Sequence, residues 1–349
     1  MTKIQPMTGA GSDQVTEYVQ GGNFNYNKPI GLSVATWNVS SINNNPFEYW
    51  VRHPDPAYDS LMQGIQSMIE DRDQDIPIQQ IFTDAMFSEL ICELNSCGIE
   101  GIHMLEKFWL DEYRERTAIK GFLKDKNIGV KRLTSMPDRI TNTIHLNNGG
   151  ICYRPAVINA YDGSPLQTGS QWWALWKEFI FHTKVQVCCE SEEQIAPQLV
   201  VQLIPPILRS KYPAISLEEQ AASIPLQILC LAIMDAILLH MLNTVAPGTW
   251  QRLRKTLADA LILNKQARLC QVLESHDDVE VFFIQEASAA FCKEIGTHPR
   301  LADRYSALLP ASFDSRRNQN SLVLAARSRF PSAGEDVTEQ VRHRNADRK

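Results

Sequence analysis

Two polar residues, each closing an apolar run, carry the chemistry that this chain suggests. Asn38 ends Gly31-Leu-Ser-Val-Ala-Thr-Trp-Asn38, and Glu286 ends Asp278-Val-Glu-Val-Phe-Phe-Ile-Gln-Glu286. Both runs read as buried strands. In an open α/β sheet, ligands collect outside the carboxyl ends of the strands, where these two side chains would lie. Mg2+ takes hard oxygen ligands and keeps several of its waters, so one or two protein oxygens suffice. Glu286 offers a carboxylate. Asn38 offers an amide oxygen for the metal shell and an amide N–H that can orient a water. Such a metal neutralises a phosphodiester and holds its attacking and leaving oxygens in line. Taken singly, neither residue is specific: Asn38 could equally cap a strand, and Glu286 could be a solvated strand-end acid.

The elements that must position them follow from periodicity. In the first run, Leu32, Val34, Thr36 and Asn38 point one way, and Ser33, Ala35 and Trp37 the other. A helix is predicted from Thr249, as N-cap, to Glu274. It carries Leu253, Leu257, Leu261 and Ala267 on or near one face, with Arg252, Arg254, Lys255, Lys265 and Arg268 on the surface. Ser275-His-Asp-Asp278 turns the chain into the Glu286 strand. A short helix is expected over 287–295, then a Pro- and Arg-containing loop, then a third strand over 321–326. Between Pro54 and Pro247 apolar residues recur every three or four positions, which predicts helices over 58–71, 83–97, 104–120 and 171–182. Asn147-Asn-Gly-Gly150 predicts a turn between short extended pieces.

The order strand-Thr-Trp-Asn38, helix, strand-Ile-Gln-Glu286, Asn318-Gln-Asn-Ser, strand resembles the start of the endonuclease/exonuclease/phosphatase superfamily, the DNase I-like phosphoesterases. The resemblance covers about residues 30–50 and 250–330. It implies an α/β fold: part of a DNase I-like α/β/β/α sandwich, interrupted by a mainly α-helical insertion. It implies Mg2+ or Mn2+ as cofactor, Glu286 as metal ligand, and Asn38 as the first-strand Asn that orients the polar network. The substrate would be a phosphoester, in nucleic acid or a phospholipid headgroup. The expected organisation is a leader over 1–28, an α/β domain from 29–53 plus 248–330, a helical insertion over 54–247, and a disordered tail over 331–349.

The chain departs from that pattern twice. Between Asn38 and Glu286 lie 247 residues, where the family has a few tens. A long insertion is tolerable, since each doubling of a flexible loop costs only about 0.6 kcal/mol in closure entropy. The second departure concerns catalysis. The family's later Gly-Asp-x-Asn and Ser-Asp-His motifs are missing; no Gly-Asp dipeptide occurs, and Ser275-His-Asp has another order and precedes Glu286. The expectation is a truncated or catalytically incomplete phosphoester hydrolase. The alternative is a non-catalytic interaction protein on a decayed nuclease-like fold, binding a protein partner through the helical insertion.

Bulk properties narrow the field. A net charge of -6 argues against a basic protein that coats nucleic acid by counterion release. Eight cysteines without a C-x-x-C pair read as free thiols, and the polar start lacks a signal-like apolar run, so an intracellular, cytoplasmic or nuclear, location is expected. The apolar stretch from Ile224 to Val245 contains Gln227, Asp235 and His240 and reads as a core helix, not a membrane span. Trp172, Trp173 and Trp176 read as a core stripe, with a stacking platform as the alternative. Asn43-Asn-Asn45 is read as turn chemistry or as cleft lining, Cys188-Cys189 as packing, and Arg316-Arg317 as a phosphate contact or a solvated loop. No H-E-x-x-H or H-x-x-x-H zinc signature and no P-loop is present.

Overall fold

The computed structural model describes residues 31–40, 44–71, 75–187, 196–311, 313, 320–332, 334 and 337. The fold is mixed α/β. The chain divides into two compact units, 44–263 (the helical unit) and 1–43 with 264–349 (the sheet unit). The helical unit therefore starts ten residues before the expected insertion and ends sixteen after it.

In chain order, β1 (Val34–Asn38) opens the sheet unit. The helical unit follows with α1 (Ala57–Glu70), α2 (Asp84–Ser96), α3 (Ile102–Phe108), α4 (Lys126–Lys131) and α5 (Ser135–Thr141). Next come a ribbon of β2 (Thr143–His145) and β3 (Ile151–Tyr153), α6 (Gly169–Lys177), and a ribbon of β4 (Lys184–Val185) and β5 (Gln198–Leu199). The unit ends with α7 (Leu217–Ala221), α8 (Ser223–Val245) and α9 (Trp250–Ala258). The sheet unit resumes with α10 (Lys265–Glu274), β6 (Val281–Ala287), α11 (Ala289–Thr297), α12 (Pro299–Arg304), β7 (Tyr305–Leu308) and β8 (Asn320–Ala326).

The helical unit is built around α8. That helix is apolar on all sides, as a helix surrounded by core must be, and 67% of its most apolar window is buried. By length and composition alone it could cross a membrane. Two of its buried polar residues, Asp235 and Gln227, have partners within the unit. Asp235 accepts from Arg154 Nε at 2.7 Å and from Trp176 Nε1 at 2.9 Å, and Gln227 Nε2 donates to the Pro205 carbonyl at 2.9 Å. Trp172, Trp173 and Trp176 are all buried in the same core, so the aromatic stripe is packing and offers no stacking platform.

Two predicted helices are broken. The 104–120 helix gives way to a π turn at Trp109–Tyr113, and a second π turn begins only at Ala118. The 249–274 helix ends as α9, passes through a π turn at Asp259–Leu263, and restarts as α10 after Asn264. The break falls between residues of two separate cores. Leu253 and Leu257 belong to the helical unit's core, whereas Leu269, Cys270 and Leu273 belong to the sheet unit's core. Leu261 and Ala267, expected on one continuous stripe, are exposed between them. Arg254, expected at the surface, is buried. Its Nη1 donates to the Ala156 carbonyl at 2.9 Å, and its guanidinium lies over the Trp250 ring at 5.1 Å.

The sheet unit holds one four-stranded sheet among the described residues, in the order β1-β6-β8-β7. β1 pairs parallel with β6, and β8 is antiparallel to both β6 and β7. Phe282, Ile284, Leu322 and Leu324 pack with Leu269 and Leu273 of α10, Phe291 and Ile295 of α11, and Leu301 of α12. Full burial of each such side chain contributes roughly 1.5–3 kcal/mol. β7 and α12 lie where a loop was expected.

Candidate active site

β1 and β6 are adjacent and parallel, with Asn38 opposite Gln285. Their carboxyl ends therefore lie side by side, and Asn38 and Glu286 share one end of the sheet. The backbone fixes this register beyond the last pair, because Val39 N–H donates to the Gln285 carbonyl at 3.0 Å.

Glu286 owes its placement to a β-bulge. Strict alternation would carry Phe282, Ile284 and Glu286 onto the core face of β6. Instead the β6–β8 register shifts between Ile284 and Ala287, so that Gln285 and Glu286 together oppose Ser321. Ala287 becomes the fully buried residue, and Glu286 stays partly exposed. Bulges re-aim side chains in this way. The conformation is strained, since Glu286 has φ 54, a left-handed value that suits glycine.

On the β1 side, Asn38 Oδ1 accepts from Ser40 N–H at 2.9 Å, and Ser40 also has a positive φ of 49. This turn is of the Asx type. The Ser40 carbonyl accepts from Lys265 Nζ at the first position of α10. Burial pushes the Lys265 ammonium down from its ordinary value, and the negative charge of Glu286 pulls it back up. Lys265 thus hydrogen-bonds the backbone beyond the end of β1, within electrostatic reach of Glu286 at the end of β6. Thr36 and Gln285 make a further cross-strand link, with Gln285 Nε2 donating to Thr36 Oγ1 at 3.0 Å.

Asn38 and Glu286 could offer one amide oxygen and one carboxylate to a hard divalent cation from neighbouring strand ends, a donor set that Mg2+ would have to complete with water. The Ser40 N–H engages one lone pair of Asn38 Oδ1 and leaves a second for a ligand. No group of three or more His, Cys, Asp or Glu side chains that could hold a metal occurs among the described residues. Ser275-His-Asp precedes β6, at the end of that strand away from Glu286. Asn45 makes a turn in the helical unit, accepting from Phe47 N–H at 2.9 Å. Asn43, Cys188-Cys189, Arg316-Arg317 and Asn318 lie outside the described residues.

Lys265 and Gln285 are residues at this end of the sheet to which sequence reasoning gave no role. Gln285 stood in the strand-end run without a role. Lys265 was one of five basic residues on a presumed single helix, with nothing to separate it from the others.

The molecule is thus a mixed α/β protein in which a large helical unit interrupts a small parallel-edged sheet. It belongs to the family described as Domain of unknown function (DUF8234), which matches residues 75–255, just over half of the chain and wholly within the helical unit. No curated protein and no solved structure matches the chain.

Proposed function

We propose that the sheet unit is a Mg2+-dependent phosphoester hydrolase-like module of the endonuclease/exonuclease/phosphatase kind, carrying only part of the catalytic machinery. One observation carries this reading: Asn38 and Glu286, with 247 residues between them in sequence, close adjacent parallel strands at the same end. The bulge that brings Glu286 off the core face supports it, because strained non-glycine backbone concentrates at functional sites.

Glu286 and Asn38 would hold the cation, which when bound neutralises the phosphoester and aligns the attacking and leaving oxygens. Asn38 is oriented for this by the Ser40 N–H, and Gln285 holds the two strands in register. The substrate is a phosphoester of a nucleic acid or a phospholipid headgroup. The chain's sequence holds no Gly-Asp motif to supply the residue that activates the nucleophile. Positioned acid–base groups contribute about 10²–10⁴-fold, so turnover of a generic phosphodiester will be slow by that factor.

Mn2+ uptake by the full chain, followed by electron paramagnetic resonance of the free ion, tests the site independently of turnover. The reading expects saturable uptake that weakens at least tenfold in Glu286→Gln. Equal uptake by the two chains would remove its basis.

A further inference from the structure

The end of the parallel strand pair already contains a cation belonging to the protein. Lys265 starts α10, and its Nζ donates to the carbonyl of Ser40, two residues beyond Asn38. That carbonyl is set by the Asn38–Ser40 turn and the positive φ of Ser40. Lys265 is only partly exposed, so water screens its charge incompletely. Asn38 and Glu286 are the oxygen donors at this end, and the same end is where the ammonium is tethered.

We propose that Lys265 is the resident counter-cation of this site, competing with a divalent metal for the negative end of the strand pair and thereby setting its affinity. This rests on the reading of Asn38 and Glu286 as metal ligands. A dication arriving at Glu286 meets a fixed positive charge on the neighbouring tether. For Lys265 to withdraw, its hydrogen bond to Ser40 must break. The site is therefore built for weak, displaceable metal binding. Lys265 is a positioning residue in this scheme, because it acts on the metal through charge and ligates nothing.

The test titrates Mn2+ alone into the full chain by electron paramagnetic resonance and calorimetry, for wild type, Lys265→Met, Lys265→Arg, Glu286→Gln and Lys265→Met/Glu286→Gln. Circular dichroism verifies the fold, and Lys265→Gln replaces Lys265→Met if the latter fails to fold. Even about 10 Å from a dication, one unit charge changes its affinity about fourfold at the dielectric of water. Lys265→Met should therefore bind Mn2+ several-fold more tightly than wild type, Lys265→Arg should match wild type, and the double variant should lose the added affinity. Unchanged or weaker binding by Lys265→Met, with Glu286→Gln still weakening uptake, overturns the competition and leaves the metal reading standing. Uptake indifferent to Glu286 overturns the metal reading and the competition with it.

Discussion

Replacing Glu286 by glycine should stabilise the sheet unit while abolishing its metal uptake. Glu286 sits at φ 54 in a bulge, and a non-glycine residue in the left-handed region costs about 1–3 kcal/mol. Glycine removes that cost but adds backbone freedom to the unfolded chain, worth about 0.5–1 kcal/mol against it. Alanine keeps the Cβ and hence the strain. Both substitutions lose the attraction to Lys265, which for a partly exposed pair contributes about 0–1 kcal/mol. Glu286→Gly should thus exceed Glu286→Ala in stability by about 1 kcal/mol, and neither should take up Mn2+. The helical unit has its own core and need not unfold with the sheet unit, so a whole-chain signal is unsuitable. Cys270 and Cys292 are buried in the sheet unit, and burial pushes the Cys270 thiol up to about 11, so both are protected from alkylation while it is folded. Pulsed alkylation of these two thiols across a urea series, read by peptide mass, gives the stability of that unit. If the alanine variant equals or exceeds the glycine variant, the backbone strain assigned to Glu286 does not exist.

The helical unit supports two further tests. Asp235→Ala should cost about 3–5 kcal/mol, because it strips fully buried Arg154 of a carboxylate partner while leaving its charge in place. Arg154→Met/Asp235→Leu should recover to within about 2 kcal/mol of wild type, and thermal melts showing the double variant no better than the single one would contradict that cause. Burial pushes the Cys230 thiol from 9.0 up to about 12. The thiol is therefore favoured in the folded state, its contribution is complete below pH 9, and it is lost as pH rises through 9 toward 12. At pH 10.5 wild type should have lost about 2 kcal/mol more, relative to pH 8, than Cys230→Ala. Urea melts of both chains at the two pH values measure this, and parallel losses would show that Cys230 does not ionise on unfolding.

What the sequence revealed, and what it hid, divides along physical lines. The alternation in β1 and the apolar run of β6 were readable because a half-buried strand needs a two-residue period and a central strand needs apolar side chains. The Trp172–Trp176 stripe and the apolar α8 were readable as core for the same reason. The bulge at Glu286 left no mark, since its left-handed residue is not a glycine. The break at Asn264 was hidden because the leucines on either side keep a helical spacing although they serve different cores. Arg254 and Lys265 carry charges that composition places at the surface. Only tertiary partners, a carbonyl and two aromatic rings for the one and the Ser40 carbonyl for the other, show why each lies deeper. β7 is four residues long and, among the described residues, pairs only with β8, so nothing local announces it.

The interruption between β1 and α10 also has a physical rationale. Joining parallel strands across a long flexible loop would carry a closure penalty, but the helical unit draws its own first and last helices together. α1 packs against both α8 and α9. The approach is close enough that a Cβ added at Gly64 would lie 2.3 Å from Val245 Cγ1, near the end of α8. Arg252 of α9 pairs with Asp55 just before α1. The two ends of the helical unit are therefore held by its own packing, and the closure entropy of joining β1 to β6 is offset largely inside that unit's core. The β1–β6 register, which sets Asn38 opposite Gln285 and puts Glu286 at the same end, spans this interruption.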